Sequence, residues 1–227
     1  MDWIHRFQLF LFDFDGLLVD TERLHYRAYK RMLATRGYEL NWSFSRYCAA
    51  AHLEATALRD QIYTEFPSLQ ALEPHWEVLY AEKRKAFMQL LEEEPVDLMA
   101  GAIELLNRLE AAGIDRCVVT HSPLPLIERV RRHQPVLNSI PVWITREDYS
   151  KPKPDPECYR KAIHHFSAEN LAVIGFEDSF RGLQALLGTA ALPILVCPAD
   201  APFLDHPLPK QVLSYRSLVE LDTAPPR

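Results

Sequence analysis

Asp13 and Asp15 stand two residues apart at the end of an apolar run, Phe10-Leu11-Phe12-Asp13-Phe14-Asp15-Gly16. Burying a carboxylate without a partner is costly, so a strand that closes on two of them points to a metal ion or a reaction. Side chains at i and i+2 of a strand project to one side, and the spacing predicts that the two acids converge. Two further clusters share their character. One is Thr120-His121-Ser122, the other Glu177-Asp178-Ser179. Between them, Ser150-Lys151-Pro152-Lys153-Pro154-Asp155-Pro156 holds cations on a proline-stiffened loop. Hard oxygen ligands favour Mg²⁺ over softer metals, and a lysine with hydroxyls beside them suits phosphate.

The elements that must position these groups follow from periodicity. Residues 8–13 read as a buried strand. Residues 21–36 become helical, with Leu24, Ala28, Met32 and Leu33 at three- and four-residue spacing and Gly37 where a helix ends. Helical segments over 53–66 and 76–91, broken near Pro67 and Pro74, follow without a strand among them. After Pro95 helix and strand alternate: helices over 102–111, 125–132, 156–165 and 180–187, strands over 115–120, 141–145, 171–176 and 193–197. This alternation predicts an α/β fold with an open parallel sheet covered by helices on both faces. Ligands of such sheets bind beyond the carboxyl ends of the strands, where all three clusters fall.

Composition narrows the classes. The chain has 227 residues, 48% hydrophobic and 25% charged, the balance of an ordinary globular protein. A net charge of −6 gives no basic footprint for nucleic acid. The apolar run stops at Asp13, too short to span a bilayer, and the first residues lack the pattern of a signal peptide. Cys48, Cys117, Cys158 and Cys197 are scattered, without metal-type pairing. The expectation is a cytoplasmic protein with no nucleic-acid or membrane partner, a monomer or weak dimer. Cys117 is expected in the core.

The order of the clusters resembles the haloacid dehalogenase-like hydrolases: D-F-D-G at 13–16 is similar to the first family motif, Thr120 with Ser122 to the second, Lys151 to the third and Glu177-Asp178 to the fourth. The stretch Asp20-Thr21-Glu22-Arg23-Leu24-His25 and the helical segment after it resemble the phosphoglycolate phosphatase and β-phosphoglucomutase branch. The resemblance implies a Rossmann-like core over 1–18 and 95–227 with an all-helical cap over 19–94. It implies Asp13 as nucleophile and Asp15 as general acid and base, with Mg²⁺ held by Asp13, the Asp15 carbonyl and Asp178 and supported by Glu177. Thr120, Ser122 and Lys151 would bind the phosphoryl oxygens, leaving Lys153 as a solvated surface charge. His121, where relatives often carry asparagine, either contacts substrate or bonds locally. Asp178 also suits a helix N-cap.

The resemblance leaves three activities to weigh. A phosphatase is expected to pass the phosphoryl group to water, whereas a hexose-phosphate mutase returns it to the sugar. His25 matches a histidine of both. Mutases of this branch carry a glycine- and arginine-bearing turn to grip a second phosphate, and residues 47–58 contain neither. This favours the phosphatase. A catalytically silent binding protein is disfavoured by the retention of every charged motif residue.

Overall fold

The computed structural model of the chain describes residues 2–53, 56–198 and 208–226. Its six strands are β1 (Leu9–Phe12), β2 (Asp115–Val119), β3 (Val142–Ile144), β4 (Val173–Glu177), β5 (Leu192–Val196) and β6 (Leu213–Tyr215). All pair in parallel, in the order β3-β2-β1-β4-β5-β6. β1 is buried along its whole length, as a central parallel strand covered on both faces must be. That is why Leu9-Phe10-Leu11-Phe12 shows no polar face. The chain leaves β1 toward β2 and β3, then returns on the other side through β4, β5 and β6. Such a reversal opens a crevice at the carboxyl ends of the two diverging strands.

The helices, in chain order, are α1 (Glu22–Thr35), α2 (Phe44–Leu53), α3 (Ala57–Glu65), α4 (Pro67–Leu72), α5 (Trp76–Glu93), α6 (Ala102–Ala111), α7 (Leu124–His133), α8 (Glu157–His165), α9 (Phe180–Leu187) and α10 (Glu220–Thr223). The chain divides into two compact units, one of Met1–Asp20 with Val96–Arg227, the other of Thr21–Pro95. The second holds α1 to α5 around a core that includes Met32, Leu33, Trp42, Ile62 and Leu79. Arg31 of α1 and Arg36 just past its end pair with Glu93 and Glu82 of α5, tying two helices whose apolar faces already meet. Among the described residues no helix is long and apolar enough to cross a membrane.

Strand pleating decides what faces the crevice. Leu9 and Leu11 share a face with Cys117, Val119 and Val173, packed against Tyr159 and Ala162 of α8 and Leu186 of α9. Phe10 and Phe12 take the opposite face, where Phe12 stacks on Phe176 with centroids 5.1 Å apart. Phe12 is level with both Val118 and Phe176. One residue further, the same alternation sends Asp13 and Glu177 to the side of α8 and α9.

The sheet strands and most helices lie within two residues of their expected bounds. Of the helix expected over 53–66, α3 covers 57–65, residue 53 ends α2, and residues 54 and 55 lie outside the described residues. Pro67, expected to break a helix, begins α4, since a proline at the first helical position forfeits no hydrogen bond. The three-residue β6 and the four-residue α10 are too short for any periodicity to announce them.

Gly101 precedes α6 at φ +87°, and a Cβ there would lie 2.6 Å from the backbone nitrogen of Val219. Gly101→Ala combines left-handed strain with a backbone collision. It is expected to cost about 2–4 kcal/mol, read as a lower denaturant midpoint at unchanged slope; an unchanged midpoint would refute the close approach.

Candidate active site

Lys153 is the centre of the site. Its Nζ donates to Asp13 Oδ1 at 2.6 Å, Glu177 Oε1 at 2.7 Å and the Val119 carbonyl at 2.9 Å. It therefore joins the ends of β1, β2 and β4 with one ammonium. Tyr159 of α8 donates its hydroxyl to the same Glu177 oxygen, and its ring lies under the ammonium. All of these side chains are buried or nearly so. Burial alone would discharge the lysine, but Asp13 and Glu177 outweigh it and raise its pKa above the ordinary value. For Glu177 the balance differs: burial pushes its carboxyl up, Lys153 opposes, and Asp13 adds to the rise.

The expected lysine, Lys151, does not enter this cluster. Its side chain is 71% exposed, with Nζ 3.9 Å from Asp155, while Lys153, expected in solvent, enters the site. Lys-Pro-x-Pro occurs twice in overlapping register, starting at 151 and at 153. Glu157, the first residue of α8, decides between them. It accepts from the backbone nitrogens of Ser150 and Lys151 at 3.1 and 2.8 Å and from the Ser150 hydroxyl at 2.9 Å. That clamp holds the start of the loop on the outside of α8 and leaves Lys153 as the residue carried inward.

The strand spacing predicted that the two opening aspartates converge; the hydrogen bonds of their side chains go to different partners. β1 ends at Phe12, and the chain turns through 14–19, where Leu18 and Val19 both donate to the Phe14 carbonyl. Asp15 sits on this turn and not on the strand. Its Oδ2 accepts from Ser122 Oγ at 2.5 Å and from Thr120 Oγ1 at 3.4 Å, and Thr120 Oγ1 in turn accepts from the Ser122 nitrogen at 2.9 Å. Asp13 thus belongs to the lysine, and Asp15 to the hydroxyls beyond β2.

Asp13, Glu177 and Asp178 offer carboxylate oxygens within 4.8 Å of one another. Three acids facing one lysine form an oxygen-donor set suited to a hard divalent cation. Glu177 Oε2 is buried without a hydrogen-bond partner. It rests where a side chain on Gly182 would be, 1.8 Å from the position of a Cβ, so α9 can approach the carboxylate only with glycine there. The donor set fits a metal. The N-cap of α9 is Ser179, whose Oγ accepts from the Gly182 nitrogen at 3.2 Å, and not Asp178.

His121 stands exposed between Thr120 and Ser122, with its Nδ1 3.0 Å from the hydroxyl of buried Tyr149. Burial of its inner edge, then the charges of Arg146, Arg181 and Lys153, pull its pKa down to about 4. Cys117 is fully buried, as expected of a core residue. Tyr149 and Tyr159 were not singled out in the sequence; each is a tyrosine whose hydroxyl reaches a strand end across the sheet.

The model of the family described as "Haloacid dehalogenase-like hydrolase" matches residues 10–189. The chain belongs to the haloacid dehalogenase-like hydrolases. Protein CbbY of Cereibacter sphaeroides is 29% identical over 194 residues, covering 83% of each chain. Hexitol phosphatase A of Escherichia coli is 27% identical over 198 residues, covering 87% of each. The crystal structure of CbbY from Rhodobacter sphaeroides in complex with phosphate shares the fold with a TM-score of 0.72 at 24% identity, over 95% of this chain and 96% of that one. The enzyme class expected from the sequence, a phosphoric monoester hydrolase of this superfamily, accords with the named phosphatases among the relatives.

The clamp on the lysine loop carries a pH signature. Hydrogen bonds from the Ser150 and Lys151 nitrogens, then from the Ser150 hydroxyl, lower the Glu157 pKa from 4.5 to about 2. A depressed carboxylate stabilises the fold above its unfolded pKa and loses that contribution as pH falls through the folded one. Glu157→Gln is expected to melt below the wild type near neutral pH, the gap closing as pH drops from about 4.5 toward about 2. Thermal melts across this window check it; a gap independent of pH would show that the charge does not hold the loop.

Proposed function

We propose that this chain is a Mg²⁺-dependent phosphatase that hydrolyses a small phosphorylated metabolite, a sugar phosphate or a phosphoglycolate-like ester, through an aspartyl-phosphate. The observation that carries the reading is the separation of duties between the two aspartates. Asp13 is bridged to Glu177 by a buried ammonium, while Asp15 is held by hydroxyls on the neighbouring turn. One is dressed as a nucleophile and the other as a proton carrier.

Lys153 engages one oxygen of Asp13 and fixes the carboxylate, so its second oxygen is the attacking one. Attack forms the Asp13 oxygen–phosphorus bond as the ester oxygen–phosphorus bond breaks. Asp15 gives its proton to the leaving oxygen. Asp15, now a carboxylate, takes a proton from water as that water attacks phosphorus; the bond to Asp13 breaks and inorganic phosphate leaves. The ammonium of Lys153 lies where it also offsets charge developing on the phosphoryl oxygens, assisted by the hydroxyls of Thr120 and Ser122. Asp13, Asp178 and the Asp15 carbonyl, supported by Glu177, would hold Mg²⁺, which when bound neutralises phosphoryl charge and orients the ester. All four cysteines are free thiols, in keeping with action in a reducing cytoplasm.

Release of phosphate from p-nitrophenyl phosphate tests the reading. Asp13→Asn is expected to abolish turnover and trapping of a phosphoenzyme. Asp15→Asn should reduce turnover about 10²–10⁴-fold with unchanged circular dichroism. Lys153→Met is expected to lose about 10²–10³-fold, whereas Lys151→Ala stays within about twofold, as suits a solvent-exposed side chain. Chelation should silence the wild type and Mg²⁺ restore it. Full activity in Asp15→Asn would overturn the acid–base assignment, and equal losses at the two lysines would overturn the choice of Lys153.

A further inference from the structure

The hydrogen bonds around His121 determine which of its nitrogens carries the proton. Tyr149 has one hydroxyl hydrogen, and two neighbours compete for it: the Thr120 carbonyl at 3.0 Å and His121 Nδ1 at 3.0 Å. The carbonyl can only accept. The tyrosine therefore donates to Thr120, and its oxygen accepts from an Nδ1–H. An imidazole protonated on Nδ1 and neutral overall exposes a lone pair on Nε2. The neutral form is favoured by burial of the ring first, and then by the cations Arg146, Arg181 and Lys153. Arg146 is itself occupied: its guanidinium donates to the Tyr149 carbonyl at 2.9 Å and lies over that ring. Among the described residues no hydrogen bond to Nε2 is found, and the residue is exposed.

We infer that His121 is a specificity-determining residue whose Nε2 accepts a hydrogen bond from a hydroxyl of the leaving group, so that the preferred substrate is a polyol or sugar phosphate. The inference rests on the phosphatase reading of the same site. The geometry supports it in two steps. His121 lies between Thr120 and Ser122, the two residues whose hydroxyls reach Asp15, and Asp15 is the group assigned to the leaving oxygen. A lone pair at this place attracts a hydroxyl hydrogen and repels the oxygen of a carboxylate, so it separates sugar and polyol phosphates from phosphoglycolate-like esters. It also accounts for a histidine held here in one tautomer by a buried tyrosine, an arrangement that a merely solvated side chain does not need.

Two measurements test this together. Heteronuclear NMR of the imidazole nitrogens is expected to show His121 as the neutral Nδ1–H tautomer, and Tyr149→Phe to shift it toward Nε2–H. Separately, kcat/KM is compared for glycerol phosphate and for propyl phosphate, which has the same carbon skeleton without the free hydroxyls. The wild type is expected to favour glycerol phosphate by about tenfold, the worth of one hydrogen bond. The ratio should collapse toward unity in His121→Phe and recover in part in His121→Gln, whose amide oxygen can accept. An Nε2–H tautomer in the wild type, or a ratio untouched by His121→Phe, would overturn the inference while leaving the phosphatase reading intact. No turnover of p-nitrophenyl phosphate by the wild type would overturn the phosphatase reading, and the substrate preference with it.

Discussion

One ammonium sets the terms for the rest of the structure. Lys153 is bonded to carboxylates at the ends of β1 and β4 and to a carbonyl at the end of β2. Removing the lysine would leave two buried carboxylates without their cation, where the penalty is severe. The sheet must therefore present three adjacent strand ends at one level, and the parallel register does so: Phe12 pairs with both Val118 and Phe176, which brings the next residues into line. The aromatic stack of Phe10, Phe12 and Phe176 on the opposite face is the apolar counterpart. It fills one side of the strands so that the other can hold ions.

The surrounding residues are shaped by the same constraint. Glycine at 182 lets α9 approach Glu177, and Tyr159 covers the ion pair from α8 while satisfying one of its oxygens. Pro152, Pro154 and Pro156 limit the loop's freedom, and Glu157 pins its outer end. Ser179 caps α9, so Asp178 is not consumed by helix capping and remains with Asp13 and Glu177 in the acidic group.

The fold was readable from the sequence because parallel α/β architecture writes itself in alternation: buried runs such as 9–12 and 173–176 have no polar face, and amphipathic stretches between them do. The acids were readable for a related reason, since a carboxylate at the end of a buried apolar run must be offset by a cation or by hydrogen bonds. What sequence could not resolve was register over one or two residues. Lys151 and Lys153 begin the same four-residue pattern, and the deciding contact comes from Glu157, six residues beyond the first of them, which captures two backbone nitrogens. Asp13 and Asp15 likewise look equivalent by strand parity, but the strand ends before them and a turn reassigns the second.

This last distinction matters for what the pair can do. Two carboxylates pressed into one pocket repel each other's charge and titrate as a coupled pair. Here Asp13 bonds to the ammonium of Lys153, and Asp15 accepts from the hydroxyls of Thr120 and Ser122. On the proposed mechanism this division suits the two duties: Lys153 holds one oxygen of Asp13, and the hydroxyls of Thr120 and Ser122 hold Asp15 on the turn beside it. On the proposed mechanism the chemistry thus depends on the turn at 14–19 as much as on the two aspartates, because the turn gives them different hydrogen-bond partners.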